Sequence, residues 1–316
     1  MDVIGIGVPY FDMVINVDEI PQMDGAACAN AAFNQGGGKV ATAMVTLARL
    51  GKRAGMIARI GSNRSGRFIV DDFKYNGVDV DGILVDETGT SSSFCLSLSE
   101  KKSRKRIFIG TKGTAGPLQP EDIDYDYLKR ARILHVESGD AAAAAAVKFA
   151  RENGIVTVID ADSYAEETEN LIPWLDVFIA SEFFYTKMFG GLDYEEGCRK
   201  LLSMGPGVAV VTLGSRGSVG MERDKAFFRC PCFPVKAVDT TGAGDVFHGA
   251  YIAAMLDGMD TEECVRFASA VSAIKCTYPG GRTGIPNRRT VDHFLLSGEI
   301  DDRELEERYR YYRSNL

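Results

Sequence analysis

The chain has 316 residues, of which 45% are hydrophobic, and its 36 Lys and Arg against 44 Asp and Glu give a net charge of -8. This length supports one large core, and the negative charge argues against a nucleic-acid binder, whose phosphate contacts need a basic face. No apolar run approaches the roughly 18 residues of a membrane span, and the acidic opening MDVIGIGVPY does not read as a signal peptide. The seven scattered cysteines are typical of reduced thiols, so we expect a cytoplasmic protein without a membrane or nucleic-acid partner.

Apolar strand patterns alternate with helical patterns along most of the chain. Helical spacing of apolar residues predicts helices over Lys39–Leu50, which stops at Gly51, and Arg67–Asn76, which stops at Gly77. This order predicts a mainly parallel sheet covered by helices on both faces. The predicted strands are Val3–Gly7, Ala54–Ile60, Arg132–Val136, Ile155–Ile159, Val177–Ala180 and Val208–Thr212.

Two stretches break this alternation. Phe11–Asn34 is long and rich in small and polar residues, and Ser91–Ile109 contains SFCLSLSEKKSRKRIFI, the pattern of a hairpin with a charged turn. Together they could form a small separate sheet. We expect the basic run Lys101–Arg106 at the solvated tip of that turn, with the alternative that Arg104 or Arg106 faces a ligand.

Two glycine-rich segments are candidates for ligand contacts. NQGGGKVATAMVTLARLG, residues 34–51, runs from a loop into the positive N-terminus of a helix, although it could be only a tight loop before a packing helix. VTLGSRGSVG, residues 211–220, offers amides and the Thr212 hydroxyl to phosphate oxygens, or is simply a hairpin. GIGVPY at residues 5–10 lacks the third glycine of a dinucleotide fingerprint, and the sequence contains no GxxxxGK[ST], HExxH or GxSxG motif.

The segment VDTTGAGDVFHGAYIAAM, residues 238–255, carries the main chemical hypothesis. Gly242, Ala243 and Gly244 stand where a loop becomes a helix, so their amides can converge on an anion. Asp245 could merely stabilise its own helix by about 0.3–1 kcal/mol, or it could act as general base for an attacking hydroxyl. A helix-stabilising carboxylate needs no anion hole beside it, so the combination favours phosphoryl transfer.

These segments together resemble the PfkB/ribokinase family of sugar and nucleoside kinases. DTTGAGD is similar to the family's C-terminal signature, and GGGKVATAMVTLARLG is similar to its N-terminal signature. VIGIGVPYFDMV resembles the first strand with its substrate aspartate, and VTLGSRGS resembles the nucleotide turn. KCTYPGGRTGIP, residues 275–286, looks like the segment that closes over the adenine and a monovalent-cation site.

The resemblance implies a fold and an assembly. The fold would be a ribokinase-like three-layer α/β/α sandwich with a mainly parallel sheet and a small β-sheet lid. The lid would comprise residues 11–34 and 91–110, and residues 1–10, 35–90 and 111–316 would form the main nucleotide- and substrate-binding domain. Such lids often pair between subunits, so a homodimer through the lid is expected.

The resemblance also implies roles for individual residues. Asp245 would be the catalytic base, and the amides of Gly242, Ala243 and Gly244 would form the anion hole. Substrate hydroxyls would be held by Asp12, Gly37, Gly38, Lys39, Thr42 and Glu137, with Thr42 where ribokinases usually have Asn. ATP would be lined by Ser181, Thr212, Gly214, Gly217 and Ser269. Asp239 and Thr241 would contribute to a monovalent-cation site, K⁺ being expected, and Mg²⁺ would arrive with ATP and stay mostly water-coordinated.

The chain departs from the family pattern at one motif. The Asn-x-x-Glu that organises the magnesium water network reads SEFF here, with Ser181 for the Asn, Glu182 beside it and Phe184 for the last Glu. Glu182 is the residue left as a candidate for the Mg²⁺ network. This departure is also the sole support for a rival interpretation, a sugar or nucleotide sensor without turnover.

The sequence therefore predicts an ATP-dependent kinase that phosphorylates a primary hydroxyl of a sugar. Glu137 argues for a neutral sugar, of the ribose or fructose type, because a buried carboxylate beside an anionic substrate is unfavourable. The alternatives are a kinase for an anionic sugar, namely a sugar phosphate, a sulfosugar or an aldonate, and a kinase for a nucleoside. The basic run Lys101–Arg106 favours the anionic alternative.

Overall fold

A computed structural model of the protein describes residues 1–103 and 106–314. The helices, in chain order, are α1 Lys39–Arg49, α2 Arg64–Tyr75, α3 Tyr125–Leu128, α4 Ala141–Glu152, α5 Glu166–Leu171, α6 Glu182–Phe189, α7 Tyr194–Met204, α8 Ala243–Leu256, α9 Thr261–Lys275, α10 Arg288–Ser297 and α11 Arg303–Arg313. The strands are β1 Val3–Ile6, β2 Tyr10–Val17, β3 Ala29–Gly37, β4 Ala54–Gly61, β5 Ile83–Asp86, β6 Ser93–Glu100, β7 Arg106–Thr111, β8 Ile133–Val136, β9 Val156–Ala161, β10 Val177–Ser181, β11 Val208–Thr212, β12 Ser218–Glu222 and β13 Phe228–Cys230.

The larger sheet has nine strands in the order β13-β12-β11-β10-β9-β8-β1-β4-β5. The pairs from β11 to β5 are parallel, whereas β12 and β13 are antiparallel at one edge. The prediction of a mainly parallel sheet with helices on both faces is confirmed. Its central strands β1, β8, β10 and β11 are mostly apolar, as expected where helices cover both faces.

Alternate residues of each central strand enter two separate hydrophobic cores. Val158, Ile179 and Val210 face one core, which contains α1, α8 and α9. Their neighbours Ile159 and Phe178 face the other core, which contains α4 and α7. This period-two alternation is what places one helix layer on each side of the sheet.

The smaller sheet has four strands in the order β3-β2-β6-β7. Strands β2 and β6 are parallel, and the outer pairs are antiparallel. One of its faces carries Asp12 and Gln35, which are paired across β2 and β3. That the segments 11–34 and 91–110 behave as a lid separate from the main domain remains a prediction.

Element boundaries differ from the predicted ones where a cap lies outside the apolar pattern. Helix α2 begins at Arg64, three residues before the predicted start, because the Asn63 side chain accepts a hydrogen bond from the Gly66 amide at 3.0 Å.

No helix in the described part of the chain combines the length and the apolarity needed to cross a membrane.

Candidate active site

The predicted site residues Glu137 and Ser181 lie where the parallel strands end, together with residues that were not predicted. Gly7 and Val8 follow β1, Glu137 follows β8, Asp162 follows β9, and Ser181 ends β10. Because the carboxyl ends of parallel strands share one edge of a sheet, these residues face a common crevice. Helices α1 and α8 begin beside the same crevice, since Lys39 of α1 lies 3.0 Å from Asp162 and His248 of α8 lies 3.3 Å from Asp160.

Asp245 lies in the first turn of α8, after a left-handed residue. Gly242 caps the helix with φ +73°, and a Cβ there would come within about 3.0 Å of the Gly281 backbone, so glycine is required. Among the described residues, the amides of Gly242, Gly244 and Asp245 donate to no protein acceptor, whereas the Ala243 amide donates to the Thr240 carbonyl at 3.2 Å. The α8 N-terminus therefore offers free amides beside a carboxylate.

The electrostatic surroundings of Asp245 favour its protonated form. Burial raises its pKa, and the nearby carboxylate of Asp160 raises it further, while the ammonium of Lys39 opposes the shift. A carboxylate with a raised pKa is a stronger proton acceptor once it is ionised, as a general base requires.

The glycine loop between β3 and α1 is packed against charged side chains. A Cβ on Gly37 would lie 2.2 Å from the Asp12 carboxylate, and a Cβ on Gly36 would lie 2.1 Å from the Arg282 guanidinium. Only glycine therefore permits both side chains to approach the loop. Burial raises the pKa of Asp12 to about 7, although Arg282 acts in the opposite direction.

Arg282 holds the loop between β3 and α1 in place through buried contacts. It is only 1% exposed, forms an ion pair with Asp72, and donates to the Gly37 carbonyl at 3.1 Å and the Thr42 hydroxyl at 3.4 Å. The Tyr312 hydroxyl of α11 donates to the other Asp72 oxygen at 2.8 Å. Thr42 is thus held by a buried network that links the loop to the C-terminal helix.

Glu137 joins two parts of the crevice floor. One carboxylate oxygen accepts the Val8 amide at 2.9 Å, and the other accepts the Val40 amide at 3.0 Å, at the start of α1. Burial raises the pKa of Glu137, an effect that these amides and Lys39 oppose. The side chain has a clear structural task, and its remaining lone pairs stay available to a ligand hydroxyl.

Asp160 and Asp162 add two further carboxylates to the crevice. Lys39 lies 3.0 Å from Asp162, and the two aspartates together raise the pKa of its ammonium although burial acts the other way. Asp160 is buried and lies 3.3 Å from His248 Nε2. Burial lowers the pKa of His248 to about 3, so His248 meets Asp160 as a neutral donor.

A cavity of about 550 Å³ opens beside the free amides of α8. Predicted ATP residues Thr212, Gly214, Gly217 and Ser269 line it, together with Ala243 and Gly244. The cavity therefore reaches from the turn after β11 to the anion-hole segment. Its apolar walls include Phe233, Val235, Phe247 and Ala273.

Ser181 and Glu182 make structural contacts at the start of α6. The Ser181 hydroxyl accepts the Phe184 amide at 3.0 Å and donates to the Asp162 carbonyl at 2.8 Å. Glu182 forms an ion pair with Arg216 and accepts the Tyr194 hydroxyl at 2.7 Å. Glu182 thereby contacts the turn Gly214–Arg216, whereas Ser181 does not belong to the cavity wall described above.

Asp239, the first residue of DTTGAGD, is enclosed by protein donors. Its carboxylate accepts the Thr241 and Gly280 amides, each at 2.8 Å. Its main-chain oxygen accepts the ammonium of Lys275 at 2.9 Å. Lys275 is completely buried, so this part of the site already contains a positive charge next to the predicted cation residues.

Part of the basic run Lys101–Arg106 is exposed to solvent, and part of it contacts the DTTGAGD segment. Lys101 and Lys102 are exposed and lie near Asp18 and Glu19, whereas Arg104 falls outside the described residues. Arg106 extends from β7 and its guanidinium contacts the Thr240 hydroxyl of the DTTGAGD segment. The alternative that Arg106 faces the site therefore has a direct contact in its favour.

A family model described as pfkB family carbohydrate kinase matches residues 2–288. The chain belongs to this family of carbohydrate kinases. The recognition of the family from its motifs is thereby confirmed, and so is the prediction that the protein is a kinase acting on sugars.

Relatives of this kinase carry several substrate names. It is 29% identical over 282 residues to a 5-dehydro-2-deoxygluconokinase of Clostridium perfringens, covering 82% of this chain and 83% of that enzyme. It is 27% identical over 293 residues to a nucleoside kinase of Methanothermobacter thermautotrophicus, covering 90% and 93%. Its fold matches a putative ribokinase from Agrobacterium tumefaciens with a TM-score of 0.84 and 25% identity, covering 94% and 98%, so the ribokinase-like fold is confirmed.

Some site residues of this kinase were missed by sequence reasoning. Asp160 and Asp162 had a signal, since they follow directly on the predicted strand Ile155–Ile159, where ligands of parallel sheets bind. Arg282 and Lys275 lie in the segment KCTYPGGRTGIP, but nothing local indicates that either side chain turns inward. Their partners, Asp72 and Asp239, are distant in sequence.

Proposed function

We propose that this kinase transfers the γ-phosphoryl group of Mg²⁺–ATP to a primary hydroxyl of a neutral sugar. One observation carries the proposal: Gly244 lines the nucleotide-sized cavity, while the charges of Asp160, Lys39 and Glu137 act on the carboxylate of the next residue, Asp245. ATP in the cavity and the sugar in the crevice would therefore meet beside Gly244 and Asp245.

The proposed mechanism assigns each step to groups of this chain. Asp245 accepts the proton of the attacking hydroxyl, and the free amides of Gly242, Gly244 and Asp245 orient oxygens of the transferring group. Asp12 and the Gly37–Gly38 loop hold other sugar hydroxyls, with Arg282 fixing the loop from behind. Mg²⁺, when bound with the nucleotide, supplies charge neutralisation for the phosphates.

The residues present are compatible with Mg²⁺ arriving on the nucleotide. In residues 1–103 and 106–314, no group of three or more His, Cys, Asp and Glu side chains is arranged to hold a metal ion. The ATP roles of Thr212, Gly214, Gly217 and Ser269 are supported by their place in the cavity wall. A monovalent cation at Asp239 and Thr241 stays a prediction, and the Lys275 ammonium already lies against Asp239.

The charge of the crevice supports a neutral acceptor. Asp12, Glu137, Asp160, Asp162 and Asp245 are all carboxylates, whereas Lys39 is already paired with Asp162 and Arg282 with Asp72. An anionic substituent of the substrate would meet this negative field with no unpaired cation at the crevice floor, which costs free energy in a partly buried site.

An ATP-consumption screen tests the substrate class. Ribose and fructose should be phosphorylated with higher kcat/KM than aldonic acids, phosphosugars or nucleosides, and the product should be a primary phosphate ester by phosphorus NMR. Glu137→Gln should weaken a neutral sugar. A clear preference for an anionic acceptor, or a gain for neutral sugars in Glu137→Gln, would overturn the substrate assignment while leaving the kinase intact.

One contact favours a second candidate, a kinase for an anionic sugar. Arg106 reaches the DTTGAGD segment from β7 and lies where a negatively charged ligand group would approach. If an anionic sugar is the substrate, Arg106→Gln should raise its KM strongly and leave the KM for a neutral sugar nearly unchanged. If the KM values for the anionic and the neutral sugar are both unchanged, the contact of Arg106 with Thr240 acts on the transferring phosphoryl group or stabilises the fold instead.

The four-stranded sheet supports the proposed homodimer. Its face opposite Asp12 carries apolar side chains in register, with Met13 beside Leu96 and Ile109, and Ile15 beside Leu98 and Ile107. Ile107 and Ile109 are 43% and 58% exposed, and a contiguous apolar patch on a sheet is typical of an interface. We expect a dimer by sedimentation equilibrium, and Ile109→Glu should convert it to monomer; a monomeric parent protein would refute the pairing.

A further inference from the structure

We propose that the ammonium of Lys275 takes the place of the monovalent cation at the DTTGAGD segment, so that this kinase works without K⁺. The inference rests on the proposed function, because it concerns the loop that carries the anion hole. It starts from the position of one buried charge that the mechanism above does not use.

Lys275 ends α9 and is 0% exposed. Lysine is almost never completely buried without a partner that stabilises its charge. The hydrogen bond of its Nζ is to the main-chain oxygen of Asp239, at 2.9 Å. Burial lowers the pKa of Lys275, and the carboxylates of Asp239 and Asp245 oppose this shift. The side chain therefore delivers a positive charge to the base of the anion-hole loop.

The surroundings of this ammonium resemble those that a K⁺ ion would need. A carbonyl oxygen and a nearby carboxylate are the hard oxygen ligands of an alkali ion, and an ammonium carries the same single charge. The Asp239 carboxylate is meanwhile enclosed by the amides of Thr241 and Gly280. Although burial opposes its ionisation, Lys275 and these amides lower the pKa of Asp239, so the carboxylate is charged and already compensated.

A second cation at this place would be unfavourable. K⁺ bound to Asp239 would share its environment with a buried ammonium, and like charges close together repel strongly where water is excluded. Arg106, which contacts Thr240 two residues before Gly242, adds another positive charge that opposes the charge of Lys275. Lys275 and Arg106 thus already supply positive charge to the DTTGAGD segment.

The first test is a cation titration of the unmodified protein. After exchange into a tetramethylammonium buffer, kcat/KM for the best sugar should change by less than about twofold when KCl or NaCl is added at constant ionic strength. A rise of about tenfold or more that is specific to K⁺ would overturn the inference and leave the kinase assignment untouched.

The second test removes the ammonium of Lys275 and asks whether K⁺ then binds in its place. Lys275→Ala removes the charge and opens a cavity lined by the Asp239 oxygen, and KCl should then raise the melting temperature by several degrees more than tetramethylammonium chloride does. Lys275→Met removes the charge but fills the space, so it should show no such K⁺ effect. Lys236→Ala, at an exposed lysine three residues before Asp239, is the control for the change in net charge.

The melting measurement needs no substrate, so it separates failure of this inference from failure of the proposed function. If Lys275→Ala melts as the parent does and ignores K⁺, the ammonium is not a cation substitute. If the variant fails to fold in every salt, the titration of the unmodified protein still decides.

Discussion

Asp245 stands between two environments, free amides on its N-terminal side and carboxylates across the crevice. If it is the general base, Asp245→Asn should lower kcat by about two to four decades. Sugar binding measured by calorimetry should survive, because the amide keeps the shape of the carboxylate. Asp257→Asn, at the other end of the same helix, is the matched control and should keep full turnover.

The outcome that would contradict the role of Asp245 is the reverse pattern, lost sugar affinity with normal turnover of the complex that still forms. Such a result would reduce Asp245 to a substrate contact or a helix-stabilising residue.

Asp160 should set the pH range in which Asp245 works. The Asp160 carboxylate raises the pKa of Asp245, and a general base is active only above its pKa, so the acid limb of kcat/KM should lie well above the ordinary range of an aspartate. Asp160→Asn removes the neighbouring charge, which lowers the pKa of Asp245 and moves that limb to lower pH. A pH–rate profile measures the shift, and an unmoved limb would mean that another group controls it.

At the scale of elements, the start of α6 distinguishes a structural role from a nucleotide role. Ser181 caps this helix through the Phe184 amide, so Ser181→Ala should lower the free energy of unfolding by about 1 kcal/mol. Because the hydroxyl is committed to the Phe184 amide and the Asp162 carbonyl, we expect the KM for ATP to change little. Chemical denaturation and steady-state kinetics on one preparation provide both values.

The control for this prediction is Asn287→Ala, which removes a similar cap, the one that accepts the Thr290 amide at the start of α10. A rise in the KM for ATP that is confined to Ser181→Ala would restore the nucleotide role that the family resemblance gives to this residue.

Elements were predictable to the extent that local patterns form them. The apolar runs and glycine stops located β8, β11 and α1 to within a residue or two, since both faces of these strands and one face of the helix are buried. The start of α2 was misplaced because a capping asparagine, rather than an apolar residue, fixes it. Gly242 and Gly38 were informative because both have a positive φ and a Cβ on either would meet nearby backbone atoms.

At the scale of the whole molecule, the acidic crevice should make the unliganded protein less stable as the pH rises. The pKa of Asp12 is raised from 3.8 to about 7 in the folded protein, so the unfolded chain releases this proton first. Its contribution to stability is therefore complete below the unfolded pKa and disappears as the pH rises through about 7.

Thermal unfolding without ligand should accordingly give a melting temperature that falls between mildly acidic and neutral pH. Asp12→Asn should flatten this decline, because the variant carries no titrating group there. An equally steep decline in the variant would show that Asp12 contributes little to the pH dependence.

Long-range contacts limited what the sequence could predict about the site. Asp245 and its glycines were predictable because their chemistry lies within seven consecutive residues. The partners Arg282 with Asp72 and Lys275 with Asp239 are brought together only by the packed fold. Arg106 stayed one of two alternatives because a basic run beside a turn is compatible with solvent as well as with a ligand.

The contact of Tyr312 with Asp72 has a consequence for biosynthesis. The proposed sugar-binding loop lies between β3 and α1, yet the network that supports it is completed by Tyr312 of α11, which is translated much later. A truncated product lacking α11 would retain every signature motif of the family and still present a loosened acceptor loop. Nonsense mutations that remove α11 should therefore weaken sugar binding although the signature motifs are intact.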